Sequence, residues 1–290
     1  MSSPAVILHG GLGNQLFQWA FGHYLFKIGH SPVFLFIEKK YEEPHAQISL
    51  EEFLPSCAHG TFKRMVFSSK VTELFFDPTS TKNLRKYTRN HLIESLSSPS
   101  QYLFQSYGAS FFNGYYQTKD LILEMNEIIL RELLSAINAR EVTDVEKSLR
   151  GKAIVHVRHG DTLKPQNRDV VGVLSADYYQ AVRSKTKEDL FVITDDVNSA
   201  KETLSKIRVK EYFGPDSLNA HQAFSVMARS STLFTANSTL SWWAGLVAAQ
   251  TNQAKVFVPN PFFKYNLLHS KHAFAYPSFQ LLDSNFLTFL

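Results

Sequence analysis

Between residues 153 and 259 the chain alternates between two hydrophobic periodicities, and nothing else in it constrains the fold as strongly. "AIVHVR", "DLFVITDD", "VKEYF", "TLFTA" and "KVFVP" are short runs rich in β-branched and aromatic residues. Between them stand "SADYYQAVRS", "VNSAKETLSKI", "SLNAHQAFSVMARS" and "STLSWWAGLVAAQ", whose apolar residues recur at helical spacing. Strands separated by helices are joined by crossovers rather than hairpins, so the pattern predicts a parallel sheet covered on both faces. The start of the chain has the same look. "PAVILHG" (4–10) reads as a buried strand, a glycine turn follows, residues 15–29 read as an apolar helix, and "SPVFLFIEKK" (31–40) reads as a second strand. Residues 41–117 are less regular. The stretch 118–138 is an amphipathic helix with Thr118 as its cap. The polar stretch 139–152 marks the boundary between two Rossmann-like α/β domains, 1–150 and 151–290, and the last 30 or so residues are irregular and strap back over the structure.

Composition narrows the class. A chain of 290 residues with 44% hydrophobic and 19% charged residues suits two domains and can bury a sizeable core. The net charge of +4 is mild and no basic stripe is concentrated anywhere, which argues against nucleic acid and leaves anionic small molecules or a peripheral membrane contact. One cysteine, Cys57, excludes an intramolecular disulfide and points to a reducing compartment. "MSSPAVILHGG" has neither the basic nor the long apolar region of a secretory signal, and the apolar runs break well short of the ~20 residues a span needs. A cytoplasmic protein without a transmembrane segment is the expectation.

Ligands of open α/β sheets sit at the carboxyl ends of strands. Four segments end strands with unusual residues. In "HGGLGNQ", Gly10, Gly11 and Gly13 allow a tight turn and a close backbone approach to a ligand. The segment nearly matches a dinucleotide fingerprint, with Glu38 where a ribose-binding acid stands, but Leu16 occupies the third glycine position. Asn14 and Gln15 can instead donate to hydroxyls, and chain reversal alone also explains the glycines. In "HVRHGD", strand alternation puts His156 and Arg158 on one face and His159 on the other. The arginine argues against a metal and suits a phosphate, and Asp161 either clamps Arg158 or faces a substrate; a surface ion pair is the plainer alternative. "ITDD" ends in Asp195 and Asp196, a candidate metal pair, general base or helix cap, with capping favoured for Asp196. In "ANSTLSWW", Asn237, Ser238 and Thr239 precede an apolar helix and either cap it or hold an anion at its N-terminus, with Trp242 and Trp243 as core.

Taken together these segments resemble the α-1,2-fucosyltransferases of glycosyltransferase family 11. "GGLGNQLFQWA" is similar to the family's opening motif, "HVRHGD" to its H-x-R-R-G-D motif, "ITDD" to its aspartate-ended strand and "NSTLSWW" to its closing motif, in order across residues 5–258, and "NGYYQT" to its Gly-Tyr-Phe-Gln stretch. The resemblance implies a GT-B fold, two Rossmann-like domains facing across a cleft, with the acceptor domain first and the GDP-fucose domain second. It implies inverting, metal-independent transfer of L-fucose from GDP-β-L-fucose to a galactose 2-hydroxyl, with no cofactor. The acceptor is a galactose-terminated oligosaccharide or a lipid-linked glycan such as an O-antigen intermediate. Arg158 is expected at the β-phosphate, His156 near guanine or ribose, and Asp195 and Asn237 on the donor side. Ser238 and Thr239 are expected beside the diphosphate, and Gly11, Gly13, Asn14 and Gln15 at the acceptor-side cleft, with Asn14 close to the transferred sugar. The sequence departs from the family pattern in two respects: His159 replaces the second arginine, and Gln222 and Ala223 stand where some relatives carry an acid.

In such a reaction charge grows on the β-phosphate, and Arg158 with a helix N-terminus stabilises it where it develops. Asp161 is a candidate general base, alongside the departing phosphate or water. The competing readings are an NAD(P)-dependent oxidoreductase built on the first glycine turn, which leaves "HVRHGD" and "NSTLSWW" unexplained, and an inactive glycan- or nucleotide-binding protein.

Overall fold

The first strand, β1 (Ala5–Leu8), is short, apolar and buried along nearly its whole length, as befits a central parallel strand. In the computed structural model, which describes residues 4–37, 50–54, 60–65, 91–93, 109–112, 114–264 and 273–288, the chain forms two compact units, Met1–Ala136 and Ile137–Leu290. Glu38 and Cys57 lie outside the described residues.

In the first unit, β1 is followed by α1 (Leu12–Lys27), of whose residues 13 are buried, including Gln15, Gln18 and His23. A helix apolar nearly all round is one covered on all sides. The strands β2 (Val33–Ile37), β3 (Thr61–Met65), β4 (His91–Ile93) and β5 (Ala109–Phe112) complete a parallel sheet of order β3-β2-β1-β5-β4. Ala5 lies opposite Val33 on one side and Phe111 on the other. Among the described residues the unit's other helices are the short α2 (Leu50–Phe53) and the long amphipathic α3 (Lys119–Ala139), whose last three residues pass the boundary into the second unit. Leu16, at the third fingerprint position, is fully buried. The close approach of helix to strand occurs instead further along α1, at Gly22, where a β-carbon would lie 2.3 Å from the Phe34 ring.

The second unit opens with α4 (Asp144–Leu149), closed by a capping box between Thr143 and Glu146. This helix, which a boundary at residue 150 assigns to the first half, falls in the second unit. The strands β6 (Ala153–Val157), β7 (Leu190–Thr194), β8 (Glu211–Phe213), β9 (Thr232–Phe234), β10 (Lys255–Asn260) and β11 (Phe279–Asp283) form a second parallel sheet of order β11-β10-β9-β6-β7-β8. The helices between them are α5 (Pro165–Arg168), α6 (Ala176–Ser184), α7 (Val197–Thr203), α8 (Ala220–Ala228) and α9 (Thr239–Asn252). The C-terminal segment is more regular than its sequence suggests: Phe279–Asp283 adds to the edge of β10 in parallel register, Val256 opposite Phe279. Trp242 and Trp243 are fully buried, and Trp242 donates its indole N–H to the Phe274 carbonyl at 2.8 Å.

Each sheet has one place where the strand order reverses. From β1 the chain moves outward through β2 and β3 and returns on the other side as β4 and β5; from β6 it moves through β7 and β8 and returns as β9 to β11. Connections leave such a point in opposite directions and open a crevice at the carboxyl ends of the strands. The crevices lie after β1 and β5 in the first unit and after β6 and β9 in the second.

Candidate active site

The second crevice collects three of the four polar segments. Arg158 follows β6, Asp195 and Asp196 follow β7, and Asn237, Ser238 and Thr239 follow β9. Arg158 is partly exposed, and its Nη2 donates to the Asp161 carboxylate at 2.6 Å. Of the two sequence expectations for Asp161, the structure shows the clamp. The turn is held from behind: Thr162 Oγ1 donates to the carbonyls of Arg158 and His159, and Asn167 donates to the carbonyl of Asp161.

The neighbouring strand end locks onto this turn. Asp195 accepts the backbone N–H of His159 at 2.8 Å, and a β-carbon at Gly160 would sit 2.8 Å from its other carboxylate oxygen. Glycine is therefore required by proximity here. The His159 ring is buried, with Nδ1 2.8 Å from Ser199 Oγ on α7. Asp196 caps α7 by accepting from Ser199 N at 3.0 Å. Ser199 has no motif to flag it; only its position one turn after Asp196 hints that it belongs to the site.

His156 is buried within β6, and burial, partly offset by Asp195 and reinforced by Arg158, pushes its imidazole down to about 4. His159 is lowered for the same first reason, desolvation, against the pull of Asp195 and Asp196. Both rings are thus neutral at physiological pH. His156 Nδ1 and His159 Nε2 are buried without a hydrogen-bond partner among the described residues.

The residues after β9 divide their tasks. Asn237 donates its side-chain amide to the carbonyls of Val171 and Gly172, tying down the loop that follows α5. Ser238 is the N-cap of α9 but makes no side-chain cap hydrogen bond, so the positive end of this 14-residue helix is not closed by its own cap. Gln222 is engaged in a capping box with Asn219 at the start of α8. A cavity of about 380 Å³ adjoins the strand ends, lined by Asp195, Asp196, Asn198, Tyr212 and Asp216 among others. Tyr212 and Asp216 carried no sequence signal. Among the described residues no cluster of three or more His, Cys, Asp or Glu is arranged to hold a metal ion, and no helix is long and apolar enough to cross a membrane.

The first crevice holds the remaining segment. Gly10 has φ +75° and starts the turn. Gln15, expected at the acceptor-side cleft, is buried and fully engaged with backbone: it donates to Gly10 O at 2.8 Å and accepts from Leu50 N at 3.1 Å. Gln18 acts likewise, accepting from His9 N and donating to Gly114 O. Gly11 stands outward as the N-cap of α1, with no atom near its would-be β-carbon, and Gly13 is buried in the first turn. Asn14 is partly exposed and accepts from Gln117 Nε2 at 2.9 Å. Gln15 therefore knits the turn together, while Asn14 stands at its mouth.

These segments correspond to a known family. The profile of Glycosyl transferase family 11 matches residues 5–265. The chain is 24% identical over 293 residues to an alpha-1,2-colitosyltransferase of Escherichia coli, covering 93% of this chain and 96% of that protein. Among solved structures it is similar to an E. coli heptosyltransferase, WaaC, with ADP (TM-score 0.48, 7% identity, 98% of this chain and 93% of that one). It is also similar to an Arabidopsis thaliana FUT1 mutant in complex with GDP (TM-score 0.46, 12% identity, 88% and 70%). With the profile matched from β1 to just beyond β10, the chain belongs to Glycosyl transferase family 11.

Proposed function

We propose that the protein transfers L-fucose from GDP-β-L-fucose to the 2-hydroxyl of a terminal galactose, with inversion and without a metal ion, in a GT-B arrangement whose first unit takes the acceptor and whose second takes the donor. The observation that carries the reading is Arg158 at the reversal point of the second sheet, after the strand that neighbours β9, which leads into α9, whose N-cap Ser238 makes no side-chain cap bond. A planar, permanently charged fork and a helix N-terminus are two anion-stabilising devices, and together they suit a diphosphate leaving group.

In this reading the glycosidic bond from fucose C1 to the β-phosphate oxygen breaks as the galactose 2-oxygen forms its bond to C1 from the opposite face. The electron pair of the breaking bond leaves with GDP, where Arg158, Ser238 and Thr239 receive the growing charge. Asp161 is paired with Arg158 and orients its fork; the acceptor proton passes to the departing phosphate or to water. His156 and Asp195 serve the nucleoside side. Asn14 serves the first unit's crevice, close to the transferred sugar. No cofactor takes part, and the acceptor is a galactose-terminated oligosaccharide or lipid-linked glycan.

A second donor is favoured by one observation: the E. coli relative is a colitosyltransferase. Colitose is fucose without its 3-hydroxyl, so a donor site that makes no use of that hydroxyl takes either sugar. The test is incubation with GDP-fucose and, separately, GDP-colitose against a panel of β-galactosides, with product mass and NMR linkage as readouts. An α-1,2-linked fucosyl product is expected. Turnover with GDP-colitose alone moves the reading to the second donor; another linkage, or turnover only with GDP-mannose, overturns both.

A further inference from the structure

We propose that Gln117 is a positioning residue for Asn14, holding its side-chain amide in one orientation at the first crevice; the inference rests on the reading of Asn14 given above. The two residues are 103 positions apart and meet because β1 and β5 are neighbours at the reversal point of the first sheet. Gln117 is only 7% exposed, and its Nε2 donates to Asn14 Oδ1 at 2.9 Å. A side-chain amide has a donor end and an acceptor end. A donor fixed on Oδ1 decides which end faces which way. Asn14 Nδ2 lies 2.7 Å from where a β-carbon at Gly10 would be, so the amide occupies space that only a glycine at that position leaves open.

The backbone that delivers Gln117 is unusual. Tyr116, immediately before it, has φ +51°, a left-handed conformation that a bulky aromatic residue rarely adopts. Its ring is buried and stacked on Phe21 of α1, centroids 3.9 Å apart and planes within 5°. The packing of Tyr116 on the helix that carries Asn14 thus holds the strained turn, and the turn aims Gln117 at Asn14. Strain kept in place by its surroundings is a recurrent mark of functional positions.

The experiment compares Gln117→Glu, Gln117→Met, Asn14→Ala and the double variant Asn14→Ala/Gln117→Glu in the full chain, with GDP-fucose, GDP-colitose and a β-galactoside. Glutamate keeps the size of Gln117 but offers no donor to Asn14 Oδ1. Both Gln117 variants are expected to lower kcat by about tenfold or more, as for a misplaced reacting group, with donor KM and calorimetric GDP affinity unchanged. In the Asn14→Ala background Gln117→Glu should cost nothing further, within about twofold. Parental kcat in both Gln117 variants, an additive loss in the double variant, or a parallel fall of kcat, GDP affinity and near-ultraviolet circular dichroism overturns the proposal. If Asn14→Ala keeps full turnover, or the parent turns over neither donor, the reading beneath it has failed and the proposal with it.

Discussion

Arg158 is the residue on which the proposed chemistry depends most. Its side chain is about a third exposed and paired with Asp161, so its removal leaves no unpaired charge buried in the core. Arg158→Ala is therefore expected to leave the fold intact while lowering kcat by about 10²–10³-fold, the usual cost of losing one preorganised donor to a developing anion. Arg158→Lys should recover only part of this, because an ammonium lacks the planar fork. Steady-state kinetics with circular dichroism as a control checks both; near-parental turnover in a folded Arg158→Ala returns the segment to a surface ion pair. His159 is a different case. Strand alternation places it on the opposite face, and the structure bonds its buried ring to the half-buried Ser199, where it braces the turn.

At the scale of elements, the loop after β6 and the loop after β7 behave as one unit. Asp195 accepts from the backbone of His159, Gly160 packs against the same carboxylate, and the imidazole of His159 meets Ser199 on α7. A methyl group at Gly160 has to displace Asp195, since that side chain is short and already committed. Gly160→Ala is expected to break the bond from His159 N–H to the carboxylate, at a cost of roughly 1.5–3 kcal/mol for a hydrogen bond to a charged group. Thermal unfolding and calorimetric GDP affinity should both fall. An unchanged GDP affinity with an unchanged Tm refutes the coupling of the two loops.

For the whole molecule, acid is the informative perturbant. His156 titrates near 6.5 in the unfolded chain and near 4 when folded, because burial penalises its charged form. Between those values the unfolded state binds the extra proton. This contribution to stability is therefore complete above about pH 6.5 and is lost progressively as pH falls toward 4, with His159 acting in the same direction. Tm measured from pH 7.5 down to 4 should decline, and His156→Asn should flatten that decline; an equally steep profile in the variant rules His156 out as a cause. The catalytic counterpart concerns metal. If, as proposed, Arg158 and the N-terminus of α9 supply the positive potential at a diphosphate, turnover is expected to survive EDTA. Activity lost on chelation and restored by Mn²⁺ or Mg²⁺ overturns that.

Much of this was readable from the residues alone. Strand and helix periods differ, so "LFVIT" and "AFSVMA" declare their types locally, and the alternation of the two forces parallel sheets. Caps are local as well: Asp196 before α7 and Thr118 before α3 accept from backbone N–H groups within three residues. Short strands amid irregular aromatic sequence were not legible, and β11 is a strand only because β10 offers it an edge. Nor was the division of labour among amides. Gln15, Asn14, Gln117 and Asn237 carry the same donors and acceptors whether they face a sugar hydroxyl or a peptide group. Gln15 met Leu50 N, Asn237 met Val171 O across 66 residues, and Gln117 met Asn14 across 103. Periodicity determines what each segment becomes, whereas strand order, a property of the folded chain, determines which segments meet and therefore which polar groups are already paired.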